Sequence, residues 1–167
     1  MTHPYPIPTE TLSITYQTIP NDLLTPDDLD LCDAASTAAL RAYAPYSHFL
    51  VGAAVRLSNG RLIDGNNQEN AAYPSGICAE RNTLFAALGA FPDASILALA
   101  LAAHNDGAPV PYISPCGACR QVMMEAESRQ SFPIRILLHG ATHTILLPSV
   151  HALLPLWTPP KSTSPLS

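Results

Sequence analysis

Two short stretches decide the fold and the chemistry of this chain: residues 76–81, Gly-Ile-Cys-Ala-Glu-Arg, and residues 114–121, Ser-Pro-Cys-Gly-Ala-Cys-Arg-Gln. In each stretch, loop-forming residues come first and residues that favour helices follow the first cysteine. We therefore predict helices over 78–89 and 116–128. The N-terminus of a helix carries partial positive charge, so it favours thiolate over thiol in a cysteine placed there.

The spacing of the cysteines predicts a metal site. Cys116 and Cys119 lie three positions apart at a helix start, so both sulfurs can bind one ion, although such a pair is also typical of a redox dithiol or of half a structural zinc site. Cys78 can supply a third sulfur, and Glu80 follows it in the same first turn. Three protein ligands with an open fourth position describe catalytic zinc. We interpret Cys32, inside another predicted helix, as a core residue.

The composition argues against several classes of protein. The chain has 167 residues, 47% hydrophobic and 13% charged, which suits one globular domain. Its net charge is -5 with only 8 Lys and Arg, so we expect no nucleic-acid partner. The sequence shows no export signal and no run approaching the roughly 20 apolar residues of a membrane span. We expect a cytoplasmic protein with reduced cysteines and no membrane partner.

The rest of the chain predicts a sheet between helices. Thr25-Pro26 is typical of a helix start and predicts a first helix that runs to about Tyr43. Five runs predict strands, at 49–57, 61–64, 94–103, 132–138 and 142–147, and residues 112–113 are a further short candidate. Strands interleaved with helices predict an α/β fold, a three-layer α/β/α sandwich with a mixed five-stranded sheet.

The 17 prolines, concentrated near the two ends, indicate the domain boundaries. We predict an N-terminal extension at 1–24, a catalytic domain at 25–158 and a Pro/Ser-rich tail at 159–167. Residues 14–19 of the extension are a candidate edge strand. We expect the tail to be disordered.

Taken together, Cys78-Ala-Glu80-Arg81 and the stretch 114–121 resemble the paired signature of cytidine deaminases. The resemblance implies zinc-dependent hydrolysis of the exocyclic amine of cytidine or 2′-deoxycytidine, with one Zn²⁺ per subunit and Glu80 as proton carrier. A cysteine as the first ligand is similar to the small-subunit branch of that family, which implies a homotetramer.

The resemblance extends to substrate contacts. Residues 43–54 resemble the segment whose phenylalanine packs beside the base, which implies that role for Phe49. Residues 65–73 resemble the loop that reads the sugar 3′-hydroxyl, with Asn67 and Glu69 as its hydrogen-bonding residues. The alternatives are a core phenylalanine, a turn-capping asparagine and a surface acid.

Four further roles come from the resemblance. It implies that backbone groups of Ala79 and Ser114 read the base amide, and that Arg81 offsets the charge of the thiolates. A surface arginine is the alternative for Arg81. The family's C-terminal phenylalanine, which reaches a neighbouring subunit's site, corresponds to Trp157, one position early in this chain.

Other functions stay open at this point. A structural zinc module would need a fourth protein ligand, and a redox protein using Cys116 and Cys119 would leave Cys78 and Glu80 unexplained. Blasticidin-type, guanine and nucleic-acid deaminases share the chemistry. The sugar loop and the acidic net charge favour a free nucleoside as substrate.

Overall fold

The computed structural model describes residues 8–158, and in that range the chain forms seven strands and three α-helices. The strands are β1 (Gln17–Pro20), β2 (Phe49–Leu57), β3 (Leu62–Asn66), β4 (Ile96–Asn105), β5 (Ala108–Pro109), β6 (Arg135–His139) and β7 (His143–Leu147). The helices are α1 (Pro26–Ala39), α2 (Ala79–Ala90) and α3 (Gly117–Ser128). The predicted disorder of 159–167 concerns residues outside the described range.

The strands form one mixed sheet in the order β1-β7-β6-β4-β2-β3, with β5 paired to β4. Only β4 and β6 run parallel among the described pairs. The α/β fold with a mixed sheet is confirmed, but the predicted count of five strands is wrong. The two additional strands are β1, which pairs with β7 at one edge, and β5.

The short strand β5 shows why the count was wrong. Asp106 and Gly107 both have positive φ, 50° and 79°, which is the geometry that a two-residue hairpin turn requires. The chain therefore turns back at once and pairs with the end of β4. Residues 112–113, the predicted short strand, are not a strand in the structure.

The helices lie on both faces of the sheet. Helix α1 packs on one face through Leu31, Cys32 and Ala35, and α2 and α3 pack on the other through larger side chains such as Leu84 and Met123. Among residues 8–158, no helix has both the length and the apolar character needed to cross a bilayer.

Helix α1 begins where predicted and ends early. Thr25 caps it by accepting a hydrogen bond from the Asp28 N–H at 3.2 Å. The helix ends at Ala39 because the chain near Tyr43 pairs elsewhere: the Tyr43 N–H donates to the Asn67 carbonyl, and the Glu69 N–H donates to the Tyr43 carbonyl. These bonds hold the loop that contains Asn67 and Glu69 in place.

Candidate metal centre

Three cysteine sulfurs meet where α2 and α3 begin. Cys78 and Cys116 are the N-cap residues of the two helices, Cys119 lies in the first turn of α3, and neither N-cap side chain makes a capping hydrogen bond. The three Sγ atoms lie within 4.8 Å of one another, the only such group of three ligands among residues 8–158. Thiolates around one zinc ion stand about 3.8 Å apart, so this donor set fits zinc.

Hydrogen bonds among the sulfurs polarise the cluster. The pKa of Cys78 is lowered to about 5, mainly by the hydrogen bond with the Cys119 thiol and also by Arg81, against the effect of burial. The same contact raises the pKa of Cys119, and burial adds to that rise. These contacts favour the thiolate form at Cys78, which accepts a hydrogen bond from Arg81.

Arg81 faces this charge. Its Nη2 donates to the Cys78 Sγ at 3.7 Å, and this hydrogen bond is the main reason that the pKa of Arg81 is raised. Its Nε is buried and has no hydrogen-bond partner within the described range. A half-buried guanidinium held against a sulfur supports the role of offsetting thiolate charge, rather than the alternative of a surface arginine.

Glu80 is buried beside the sulfurs, with 4% of its surface exposed. Burial is the largest cause of its raised pKa, and the charge of Cys78 acts in the same direction. A carboxyl group whose proton affinity is raised in this way is suited to accept and then release a proton. The position suits proton transfer to a molecule in front of the sulfurs.

A cavity of about 500 Å³ opens in front of the cluster. Cys78 and Arg81 line it, and so do Asn67 and Glu69. Tyr46 and Tyr73 also line it, and their rings meet edge to face with centroids 6.2 Å apart. The cavity therefore borders one metal ligand, Cys78, and the loop expected to read a sugar.

The polar groups of this loop are held by backbone contacts. The Asn67 Oδ1 accepts from the Val51 N–H at 2.8 Å, and its Nδ2 donates to the Phe49 carbonyl at 3.0 Å. One N–H of that amide stays available for a ligand.

The Glu69 carboxylate is held in the same way. Its Oε2 accepts from the Tyr46 N–H at 2.9 Å and the Ser47 N–H at 3.3 Å. Hydrogen bonding by the Ser47 side chain, followed by the Tyr46 N–H, lowers the pKa of Glu69. The group is therefore a pre-oriented acceptor in its charged form.

The remaining predicted site residues lie around this centre. Ala79 is the buried first residue of α2, and Ser114 is exposed two positions before Cys116. Phe49 is half-buried at the start of β2, packs against the core and does not line the cavity described above. Trp157 is half-buried, packs against the core of its own chain and lies 6.0 Å from the His151 ring.

Two residues with many contacts near the site were missed by the sequence analysis. Arg120 donates three side-chain hydrogen bonds, and the buried Glu127 carboxylate accepts three. The only signal for each in the sequence is a charged residue on the face of α3 that also carries the buried Met123 and Met124. Their partners are distant in sequence, so the pattern did not indicate the contacts.

Comparison with known proteins places the chain in a family. Residues 25–132 match the family model described as the cytidine and deoxycytidylate deaminase zinc-binding region. The chain is 49% identical over 84 residues to a cytidine deaminase of Halalkalibacterium halodurans, a match that covers 50% of this chain and 60% of that protein. It is 35% identical over 124 residues to a probable cytidine deaminase of Dictyostelium discoideum, covering 72% of this chain and 82% of that protein.

A solved structure shows the same fold. The cytidine deaminase of Burkholderia pseudomallei superposes with a TM-score of 0.65 at 38% identity, and the match covers 80% of this chain and 98% of that one. The family model spans well over half of the chain, and it includes all three sulfurs of the cluster. The chain belongs to the cytidine deaminase family.

Proposed function

We propose that this chain hydrolyses the exocyclic amine of free cytidine and 2′-deoxycytidine, giving uridine or 2′-deoxyuridine and ammonia. One observation supports it above the others: Cys78, a member of the three-cysteine group, lines a cavity that Asn67 and Glu69 also line, and the buried Glu80 lies two positions after Cys78. The same cavity therefore borders a metal ligand and hydrogen-bonding groups for a sugar.

The lining of the cavity favours a free nucleoside over a polynucleotide. The sugar end presents a carboxylate, Glu69, which attracts a hydroxyl donor and repels a phosphate. The chain as a whole has a net charge of -5. A nucleic-acid deaminase would need cationic side chains to follow the phosphate backbone.

The proposed reaction assigns two proton transfers to Glu80. A zinc ion held by the three sulfurs would supply Lewis acidity to the attacking water. The Glu80 carboxylate takes a proton from the attacking water as its oxygen bonds to C4, and delivers that proton to the ring N3. Glu80 then carries the second proton to the amine, and the bond from C4 to that nitrogen breaks to release ammonia.

The other residues orient the substrate. Asn67 and Glu69, which line the cavity, bind the sugar hydroxyl. Family resemblance alone assigns the base amide to the backbone of Ala79 and Ser114 and the side of the base to Phe49, since none of these three lines that cavity. Pre-orientation of this kind lowers the barrier because the substrate already faces the reacting groups. Arg81 offsets the negative charge of the thiolates.

The decisive experiment follows the ultraviolet absorbance of cytidine with purified wild type and Glu80→Gln at matched zinc content. We expect wild-type turnover, and a loss on the order of 10³-fold in kcat for the variant, because the amide cannot carry protons. Asp93→Asn is the matched control, since Asp93 is an exposed carboxylate beyond the end of α2. It should keep wild-type activity.

Two results would overturn the proposal. Folded, zinc-loaded wild type that leaves both cytidine and 2′-deoxycytidine unchanged would redirect the search to other amino-heterocycles. Full activity in Glu80→Gln would remove Glu80 from the chemistry. A structural zinc module would bind zinc without turnover, and a redox protein would act without zinc.

We also propose that the chain forms a homotetramer. A groove between α2 and α3 exposes apolar side chains, with Phe85 53% exposed beside Leu88 and Val122. Glu125 and Arg129 stand at the same groove with opposite charges, as a self-complementary surface requires. Of the small residues of α2, Ala86 and Gly89 are exposed and Ala87 is buried in the core.

The proposed tetramer includes a contact between Trp157 and a neighbouring subunit's site. Light scattering should give a mass four times that of one chain, and Trp157→Ala should weaken substrate binding without loss of zinc. A monomer with full activity would overturn the shared site.

We further propose a cytoplasmic location. None of the four cysteines, all within the described range, forms a disulfide, and reduced thiols of this kind are typical of a reducing compartment.

A further inference from the structure

The guanidinium of Arg120 ties together three segments of the chain. Its Nη2 donates to the Ser114 Oγ at 2.9 Å, its Nε donates to the Pro115 carbonyl at 2.9 Å, and its Nη1 donates to the Leu153 carbonyl at 3.0 Å. Arg120 itself lies on α3 in the turn after Cys116. One side chain therefore joins this helix, the loop before it and the C-terminal segment.

The loop that Arg120 holds leads directly into the metal centre. The Pro115 carbonyl belongs to the peptide group that joins Pro115 to Cys116, so its hydrogen bond restrains the rotation of that peptide. The Arg120 backbone N–H also donates to the Cys116 carbonyl at 2.9 Å. Both peptide groups flanking Cys116 are thus bound by one residue, and so is the side chain of Ser114.

The third acceptor is a rigid anchor. Leu153 is buried in the main core, and the C-terminal turn before it is fixed to the same helix by Glu127. The Glu127 carboxylate accepts from the Val150 N–H at 3.0 Å and from the Ser149 Oγ at 2.7 Å. Arg120 and Glu127 lie seven positions apart, about two helical turns, and therefore share a face of α3.

We propose that Arg120 is a positioning residue: it connects the Ser114-Pro115 loop to the C-terminal anchor and so sets the orientation of Cys116 and of the Ser114 backbone. The catalytic part of this inference rests on the proposed deaminase function. A lysine cannot replace Arg120, because its single ammonium cannot reach three acceptors in fixed, divergent directions as a planar guanidinium does.

The test compares Arg120→Gln, Arg120→Lys, Ser114→Ala and the double variant Ser114→Ala/Arg120→Gln, each as full-length zinc-loaded protein. Two quantities are measured: the rate of zinc release to a chelator, and kcat and KM for cytidine. We expect Arg120→Gln to release zinc about 10-fold faster and to lose between about 10-fold and 100-fold in kcat/KM, because a small displacement of a ligating or binding group is costly. For Arg120→Lys, both the zinc-release rate and kcat/KM should lie between those of Arg120→Gln and wild type.

The double variant separates positioning from general stabilisation. If Arg120 acts partly through Ser114, adding Ser114→Ala to Arg120→Gln should cause little further loss, so the two effects are less than additive. Arg61→Lys is the control, since Arg61 stacks on Phe91 at 5.1 Å and makes none of the three hydrogen bonds that hold the loop. It should match wild type in both measurements.

Each remaining outcome decides the proposal. Wild-type zinc release and kcat/KM in Arg120→Gln would overturn it, as would a lowered melting temperature with both quantities unchanged. Fully additive losses would overturn the route through Ser114. If Arg120→Gln does not fold, Arg120→Lys and Ser114→Ala give the same comparison. If wild type proves inactive on cytidine, the proposed function fails, and the zinc-release rates still test the positioning of Cys116.

Discussion

The two faces of the sheet are built on different principles. On the face covered by α1 the contacts are short and the side chains small: a Cβ added at Gly52 would lie 2.0 Å from the Ala35 carbonyl oxygen. On the face covered by α2 and α3, large side chains such as Leu84, Met123 and Met124 fill the core. The sulfurs and Glu80 belong to this second face, where the N-termini of the two helices meet.

Because of this difference, the α1 face contributes to stability, and the opposite face carries the groups proposed for catalysis. Close backbone contact with small side chains leaves α1 no room for a ligand, so the polar groups on that face, such as Asp28 with Arg135, pair with each other. On the other face the sulfurs lie at the N-termini of α2 and α3, where partial positive charge favours thiolates. Substitutions on the α1 face should therefore lower only the free energy of unfolding. Substitutions at the N-termini of α2 and α3 should lower zinc binding and catalytic activity.

The largest expected effect is that of Cys116→Ala. Cys116 is exposed, so its replacement costs little packing, but it removes one of three zinc ligands. We expect zinc to be lost on dialysis and kcat/KM for cytidine to fall by more than about 100-fold, the upper loss seen when only the partners of metal ligands are removed. Zinc analysis and the absorbance assay measure both.

Cys32→Ala is the matched cysteine variant on the other face. Cys32 is fully buried against α1's side of the sheet, so we expect a loss of about 1 kcal/mol in the free energy of unfolding with zinc content and kcat unchanged. Zinc loss in Cys32→Ala, or zinc retention in Cys116→Ala, would break the separation between the two faces.

Gly52→Ala should cause the largest loss of stability. The new methyl group would meet the Ala35 carbonyl oxygen at 2.0 Å and the Ala39 nitrogen at 2.4 Å, both backbone atoms that can move only if α1 shifts. Overpacking of this kind costs up to about 3 kcal/mol. Urea unfolding measures the loss, and kcat per folded molecule should stay at the wild-type value.

Thr37→Ala is the control for Gly52→Ala, because Thr37 lies on the exposed side of the same helix. It should change the free energy of unfolding by less than about 0.5 kcal/mol. Equal stability of the two variants would mean that α1 does not depend on close approach to β2.

The same contrast explains how much could be predicted from sequence. The zinc ligands were predictable because the chemistry depends on residue type at two helix starts, and the grouping of Cys78, Cys116 and Cys119 is confirmed. The end of α1 could not be predicted from the local sequence, because hydrogen bonds between Tyr43 and residues some 25 positions away end the helix. The hairpin at Asp106-Gly107 was not predicted, although an Asp-Gly pair is typical of a two-residue hairpin turn.

Asp28→Asn tests the paired polar groups under α1. The Asp28 carboxylate binds both terminal nitrogens of Arg135, at 2.6 and 3.2 Å, and the Asp28 side chain is only 7% exposed. Removing one partner of a buried pair costs about 3–5 kcal/mol, and the half-exposed Arg135 reduces the expected loss to about 2 kcal/mol. Urea unfolding at low and high salt measures it.

Asp30→Asn provides the comparison for Asp28→Asn. Asp30 pairs with Arg56 at 3.1 Å on the surface, where its side chain is 64% exposed. We expect a change below about 0.5 kcal/mol that disappears in salt. Similar losses in the free energy of unfolding of the two variants would show that burial under α1 does not strengthen the Asp28–Arg135 ion pair.

The smallest expected effect is an acid dependence of the α1 face that arises from His139. The ring lies at the end of β6, with Nδ1 2.9 Å from the Thr144 Oγ1. Burial lowers its pKa from the ordinary 6.5, the charge of His104 lowers it further, and Asp33 opposes both. The folded protein therefore binds fewer protons than the unfolded chain, so this contribution is complete above about pH 6.5 and is lost as the pH falls below it.

The His139 contribution can be isolated by comparing pH responses rather than absolute stabilities. Urea midpoints measured at about pH 7.5 and 5.5 should fall less in His139→Asn than in wild type, because the variant has lost one group that must gain a proton on unfolding. His143→Asn removes an exposed histidine on the neighbouring strand and should keep the wild-type fall. An identical fall in all three proteins would mean that protonation of His139 does not oppose the packing of α1 on the sheet.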